Sequence, residues 1–278
     1  MARRYNRPLY LLDVPVRKGE NAEQYVAFQL EDMARQLETI TGRKLTTNKI
    51  EEVFENSNRA RGHQLKVNQL RREVPSPLHG EEGLGFIYLV LLGEGHPRTP
   101  EIYRTLAEEL ENSIKSFRKE NGGNGAYDSG DETFRLIWMH LRPYYSAEII
   151  TYLEKELRMK IVMEEFNQVY WPPLDPSQPF LSLARKVLSH PGLGPIHRRL
   201  DTVEEMVEQH RAHGVVHFSH WGCRHSVGGT LYLRNRLRKK GIPFLSLEGD
   251  CVDEGSLPWG QARTRLEGFQ EMLEQTYV

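Results

Sequence analysis

The densest group of reactive side chains in the sequence is His217–His225, which reads His-Phe-Ser-His-Trp-Gly-Cys-Arg-His. It begins inside Val215–Ser219, a short apolar stretch that reads as a strand, and runs past that strand's carboxyl end. A helix start follows, with Ser226, Gly228 and Gly229. Unpaired N–H groups at a helix N-terminus carry positive dipole and favour an anion there, a thiolate included. Cys223 therefore stands where a sulfur could meet a soft metal or an iron–sulfur cluster. It could equally be a small buried residue beside a glycine turn.

A second group, Glu248-Gly249-Asp250-Cys251-Val252-Asp253, follows the next strand. Adjacent strands of one parallel sheet end side by side. That would bring Cys251 close to Cys223 although 251 − 223 = 28 positions separate them. Asp250 and Asp253 suit a backbone turn or the cap of the next helix. By residue type, His217, His220, Cys223 and His225 also read as zinc ligands, and hence as a zinc hydrolase, but three ligands from one such stretch need a specific turn. The basic run Arg234–Lys240 reads as a solvated helix end, where cations suit the dipole, or as a grip on the phosphates of a nucleotide-like substrate. No phosphate-binding G-x-x-x-x-G-K-[ST], dinucleotide G-x-G-x-x-G or nucleophile-elbow G-x-S-x-G is present.

The elements around these groups fall into two rhythms. On the N-terminal side, Val26, Leu30, Met33, Leu37 and Ile40 step by fours and threes along one helix that Gly42 can end. Thr47 is expected to cap a second helix with Ile50, Val53 and Phe54 on its buried side, closed by Pro75 and Pro77. Gly83–Leu92 is apolar all round and reads as a buried helix, and Pro100 opens another that reaches about Lys119. On the C-terminal side, strands at Phe134–Met139, Ile161–Met163, Val215–Ser219 and Phe244–Leu247 alternate with helices at Ser146–Leu157, Thr202–His213 (capped by Asp201), Ser226–Lys240 and Ser256–Tyr277. Ala262, Leu266, Phe269 and Leu273 form the stripe of the last helix. The expectation is an α/β protein: a mainly helical part over residues 1–125, then a parallel-sheet domain, flavodoxin-like or Rossmann-like, over 126–278. The junction falls in the loop-rich Asn121–Asp131. Ligands of such sheets collect at the carboxyl ends of the strands.

Composition narrows the class. The chain has 278 residues, 37 Lys+Arg and 38 Asp+Glu, for a net charge of −1. That balance argues against a nucleic-acid-coating protein. A hydrophobic fraction of 38% can build cores, and the length suggests about two domains. Two cysteines exclude a disulfide-rich secreted scaffold. No signal peptide is recognisable, and the longest apolar run, Leu84–Leu92, is too short for a bilayer span of about 20 residues. A soluble, cytoplasmic protein is expected.

Three strings then resemble consecutive signatures of one family: Val215–Cys223 (VVHFSHWGC), Gly241–Asp253 (GIPFLSLEGDCVD) and Gly260–Leu273 (GQARTRLEGFQEML). The family is that of the 2-hydroxyacyl-CoA dehydratase and benzoyl-CoA reductase subunits, close in kind to a 2-hydroxyglutaryl-CoA dehydratase D-component. Leu11–Pro15 (LLDVP), Glu23–Tyr25 and Asn58-Arg59-Ala60-Arg61 are similar as well, so the likeness covers most of the chain. It implies an iron–sulfur lyase or reductase subunit of anaerobic metabolism. A related subunit would pair with it as heterodimer or homodimer, and an ATP-dependent activator would deliver one electron. The electron would convert an acyl-CoA thioester to a ketyl radical that loses hydroxide, or would reduce an aromatic ring.

On this resemblance Cys223 matches the cluster cysteine, and Cys251 takes a position that is sometimes cysteine. Gln261, Arg263, Thr264 and Arg265 match the closing-helix motif, as structural or subunit-contact residues. His220, Gly228, Gly229 and Asp250 are substrate or structural candidates. Two departures stand out. The family's additional α/β domain before the LDVP string, with its own cysteine, is expected to be missing. No cysteine lies in Glu164–Trp171, where the family has one. A [4Fe–4S] cluster usually takes about four ligands. The cluster is thus completed by a separate polypeptide, or the chain is a fragment, or it is a cluster-less partner.

Overall fold

The computed structural model describes residues 2–120 and 132–277, so the expected junction at Asn121–Asp131 lies outside the described residues. The helices are α1 (Ala2–Tyr5), α2 (Glu20–Thr41), α3 (Thr47–Leu70), α4 (Gly80–Leu92), α5 (Thr99–Glu120), α6 (Glu148–Thr151), α7 (Pro179–Ser189), α8 (Ile196–Gln209), α9 (Arg224–Lys239) and α10 (Trp259–Tyr277). The strands are β1 (Phe134–Met139), β2 (Met159–Glu164), β3 (Gly214–His220) and β4 (Phe244–Gly249). All pair in parallel, in the order β2-β1-β3-β4. This is an α/β fold, as the alternation of apolar runs and amphipathic stretches implies.

The sheet is covered on both faces, which is why β1 and β2 are mostly apolar on both sides, interrupted by the buried Arg135, Lys160 and Glu164, rather than alternating apolar and polar. One face packs Leu136, Trp138, Val216 and Phe218 against Ile150 and Leu153 and the α10 stripe Ala262, Leu266, Phe269 and Leu273. The other packs Ile137, Met139 and Val215 against Val203 and Met206 of α8 and Leu233 and Leu237 of α9. The helical layer joins α3 to α5 through Ala60, Val67, Tyr103 and Leu106, and α2 to α7 through Val26, Leu30, Ala184 and Leu188. Among the described residues no helix is long and apolar enough to cross a membrane.

Several elements differ from the sequence expectation. Thr46, not Thr47, caps α3; its side chain accepts the Lys49 N–H. Helix α8 starts at Ile196 behind Pro195, so Asp201 is inside it and pairs with Arg236 at 2.6 Å instead of capping. It ends at Gln209, because Arg211 has φ +50°, which a right-handed helix excludes. The segment after β1 is α6 followed by a π-turn over Tyr152–Glu156, stopped by Arg158 at φ +53°. Helix α4 is not buried all round. Leu84 and Ile87 face the sheet, whereas Leu92 is 82% exposed. Helix α7 is an addition to the expected elements. Its Pro179 at the first turn and its amphipathic Phe180–Leu188 serve α2, so the helical layer draws on both halves of the chain.

Gly83 marks the tightest contact between α4 and β2. A Cβ there would overlap Glu164 Oε1 and lie 2.9 Å from Arg71 Nη2. Those atoms form a fully buried bidentate ion pair, at 2.6 Å on each arm. Gly83→Ala should therefore destabilise the protein by about 1–3 kcal/mol through overpacking. Gly85→Ala, where a Cβ meets nothing within 4 Å, should stabilise by about 0.5–1 kcal/mol. Chemical denaturation of both variants checks the pair, and equal shifts would contradict it.

Candidate functional site

The order β2-β1-β3-β4 makes the chain leave β1 in one direction and β3 in the other. The crevice between their carboxyl ends is the topological switch point, where ligands of such sheets bind. Titratable side chains stand at the end of each strand: His140 directly after β1, Glu165 after β2, His220 closing β3 and Asp250 after β4.

His140 is buried, at φ +70°. Its backbone N–H donates to Glu165 Oε2 at 3.2 Å, and its ring lies 5.6 Å from Phe166 and 6.4 Å from the rings of both His217 and His220, centroid to centroid. Its Nδ1 is buried without a hydrogen-bond partner among the described residues, an atom left for a ligand or water. His217 Nε2 contacts Ser226 Oγ at 3.0 Å and Nδ1 lies 3.5 Å from Thr230 Oγ1. Glu165 takes a bidentate grip from Arg199, at 2.5 and 2.7 Å, and Arg199 also donates to the His225 carbonyl at 3.3 Å. The pair links β2, α8 and the first turn of α9.

Burial sets the charges. It pushes His140 down to about 4 and His217 down to about 3, Arg199 adding to both effects against the opposing pull of Glu165. Burial alone would raise Glu165, but the Arg199 guanidinium outweighs it and holds the carboxyl below its ordinary range. Both imidazoles are therefore neutral near pH 7. The unfolded chain takes up their protons near pH 6.5, before the folded one does, so stability is full above that pH and falls as pH drops toward 4. Between pH 6.5 and 5 each histidine should remove on the order of 2 kcal/mol. Denaturation midpoints over that window should slope accordingly, and His217→Gln should flatten the slope; an unchanged slope would count against neutral burial.

Cys223 is half-buried and serves as the N-cap of α9, its Sγ accepting the Ser226 N–H at 3.4 Å. Strand β3 pairs with β4 so that His220 lies opposite Gly249, which sets the two cysteine-bearing loops side by side. Cys251, however, is 4% exposed in the apolar core with Leu247 and Leu257. Burial, with Asp250 and Cys223 nearby, pushes its thiol up to about 11. Asp250 fixes the turn, accepting the Val252 and Asp253 N–H groups at 2.8 and 3.1 Å, which lowers its pKa; its other oxygen lies 3.7 Å from His220 Nδ1.

The remaining candidates separate. Gly229 lets α9 close on Ile196, whose Cδ1 would lie 3.0 Å from a Cβ, whereas Gly228 faces open space. Gln261 is exposed and Arg265 half-buried on α10, and among the described residues no hydrogen bond or ion pair joins either to Cys223, His220 or Asp250. In the basic run, Arg236 pairs with Asp201 and Glu204, and Lys240 with Glu204, so these cations bind α8. The zinc-type donors do not converge. His217 is taken up by Ser226 and Thr230, and His225 Nε2 donates to the Gly192 carbonyl at 2.8 Å. Among the described residues no three His, Cys, Asp or Glu are gathered to hold a metal ion.

His140, Glu165 and Arg199 are not singled out by the sequence. The strand-end rule points to His140, after β1, and to Glu165, after β2. Arg199 carries no such signal, and neither does its pairing with Glu165, which spans 34 positions. In place of a family cysteine, the segment after β2 supplies Glu165 to this edge and Asn167 to the interior, where Asn167 donates to the Gly83 carbonyl and to Glu164 at 2.7 Å each. The Asn-Arg-Ala-Arg stretch of α3 holds the same segment: Asn58 exchanges hydrogen bonds with Leu174 at 2.8 and 2.7 Å, and Arg61 donates to the Trp171 carbonyl at 2.7 Å.

A family model described as "2-hydroxyglutaryl-CoA dehydratase, D-component" matches residues 1–273. The alpha subunit of the (R)-phenyllactyl-CoA dehydratase of Clostridium sporogenes is 24% identical over 98% of this chain and 66% of its own length. The alpha subunit of the (R)-2-hydroxyglutaryl-CoA dehydratase of Acidaminococcus fermentans is 26% identical over 99% of this chain and 56% of its own length. A benzoyl-CoA reductase subunit of Thauera aromatica is 23% identical over 98% of this chain and 65% of its own length. The chain thus spans between 56% and 66% of the length of these relatives.

Proposed function

The chain belongs to the 2-hydroxyglutaryl-CoA dehydratase D-component family, and from that premise we propose that it is a subunit of a system that dehydrates a 2-hydroxyacyl-CoA or reduces a related thioester. The observation that carries the reading is Cys223, a half-buried sulfur capping α9 at the carboxyl end of β3, the same edge of the sheet where the His140, His217 and His220 rings gather.

An iron–sulfur cluster would supply the one-electron chemistry of such a system. This chain's own donors do not fit a full cage. It has two thiols, one of them packed in the core, and among the described residues no third donor is gathered with them. Cys223 offers one ligand, and the others come from a partner polypeptide. The surface around it supports a covered edge: Trp221 is 58% exposed and Val252 75% exposed on the two loops flanking the cysteine. Large exposed apolar side chains grouped at one site mark a contact surface. This chain's own residues orient the site: Glu165 and Arg199 hold the edge, and His140 offers it a neutral imidazole whose Nδ1 has no partner among the described residues.

A second reading, a cluster-less partner that keeps the fold, is favoured by the core burial of Cys251. Anoxic co-expression with the polypeptide encoded beside this chain separates the two. Iron and sulfide that copurify with the assembly support the cluster-completing role. A colourless, iron-free assembly that still forms supports the second reading.

A further inference from the structure

A cavity of about 720 Å³ lies between α3, α7 and the loop after α7, reaching His225 in the first turn of α9, two residues beyond Cys223. Its size is that of a small-molecule site, about 300–1,000 Å³. Val53, Phe54, Leu174, Leu183, Val187 and Leu193 give it apolar walls.

The polar groups in the lining are few and uncharged in sum. Lys186 is paired with Glu94 at 2.5 Å and sits over the Trp171 ring at 4.4 Å, so its cation is already compensated. His190 Nδ1 accepts the Gly192 N–H at 3.0 Å, which leaves a hydrogen on Nε2, and burial keeps the ring neutral by lowering its pKa. Tyr170 stacks edge-on against His190 at 4.9 Å; burial, and then the Glu94 charge, push its hydroxyl up to about 12, so it stays a donor. Neither the Tyr170 hydroxyl nor His190 Nε2 has a hydrogen-bond partner among the described residues. These two neutral donors, with the Ser57 hydroxyl that also lines the chamber, suit an acceptor oxygen on an apolar body. A carboxylate placed there would find no free cation and would face Glu94, and burying an unpaired charge is far more costly than burying a carbonyl.

We propose that this cavity binds the uncharged, apolar part of a small molecule, an aliphatic or phenyl body bearing one carbonyl or hydroxyl acceptor, and rejects a second carboxylate. The binding rests on the cavity alone. Its identification with the acyl group of a thioester substrate rests on the proposed function, which it deepens by naming the acyl class.

The test uses the full chain and two probes of matched body, 4-phenylbutan-2-one and 3-phenylpropanoate, titrated by calorimetry or by Trp171 fluorescence. The ketone should bind at least about tenfold more tightly than the carboxylate. Val187→Trp, which fills the cavity, should abolish ketone binding in protein that melts normally. Glu94→Gln, which frees the Lys186 cation, should improve carboxylate binding, a gain that misfolding cannot produce. Equal affinities in the parent, no ketone binding, or indifference to both variants would overturn the proposal. The same preference should appear for 3-phenylpropanoyl-CoA over glutaryl-CoA. Should neither thioester bind while the ketone does, the dehydratase-type reading fails and the cavity stands. Should both bind without regard to Val187→Trp, the reverse holds.

Discussion

Replacing Cys223 by Ser in the anoxic, co-purified assembly is expected to strip almost all of its iron, whereas Cys251→Ala should leave the iron in place and cost only stability. The asymmetry follows from where the two sulfurs sit. Cys223 is half-buried on the rim, and its Sγ accepts only the weak Ser226 N–H contact at 3.4 Å among the described residues. Cys251 is enclosed by Leu247, Phe218 and Leu257, and the thiol pushed up to about 11 is poorly suited to lose its proton to a metal. Truncating it removes one buried heavy atom, a loss of about 1 kcal/mol on the scale of a buried methylene. Iron analysis of both variants beside the parent decides the matter. Loss of iron in Cys251→Ala with retention in Cys223→Ser would invert the assignment.

Arg199→Met should be the most destabilising single change at the strand ends, by about 3–5 kcal/mol, because it leaves the Glu165 carboxylate buried and unpaired. The double variant Arg199→Met/Glu165→Leu should recover much of that loss, since removing both partners of a buried pair costs less than removing one. The electrostatic readout is independent of stability. Arg199 helps hold His140 and His217 neutral, so removing it should raise both imidazole pKa values in an NMR titration. A loss under about 1 kcal/mol, the ordinary worth of a surface pair, would mean that the carboxylate is solvated and not buried.

The parallel sheet was legible because its strands are buried on both faces and so are predominantly apolar, as Phe134–Met139 is but for Arg135. The α10 stripe was legible for the complementary reason: Ala262, Leu266, Phe269 and Leu273 repeat at helical spacing and all are buried. Helix α7 was not, because its partner α2 is far off in sequence and its 11 residues lie between proline-rich turns. Residue type placed Cys223, His217, His220 and Asp250 near one edge. It could not separate a rim sulfur from a core sulfur, since cysteine serves both. Nor could it find the Arg199–Glu165 pair, whose meaning exists only after β2 and α8 have packed. His140 lay within reach of the rule that ligands gather at strand ends, one position beyond a strand already recognised.

On the proposed function the sulfur of residue 223 contacts iron supplied in concert with another chain. The most direct measurement is selenium-edge X-ray absorption on the anoxic assembly carrying selenocysteine in place of Cys223. An iron atom at bonding distance from selenium is the predicted result. A selenium surrounded only by carbon and other light atoms, in an assembly that holds iron elsewhere or none at all, would contradict it.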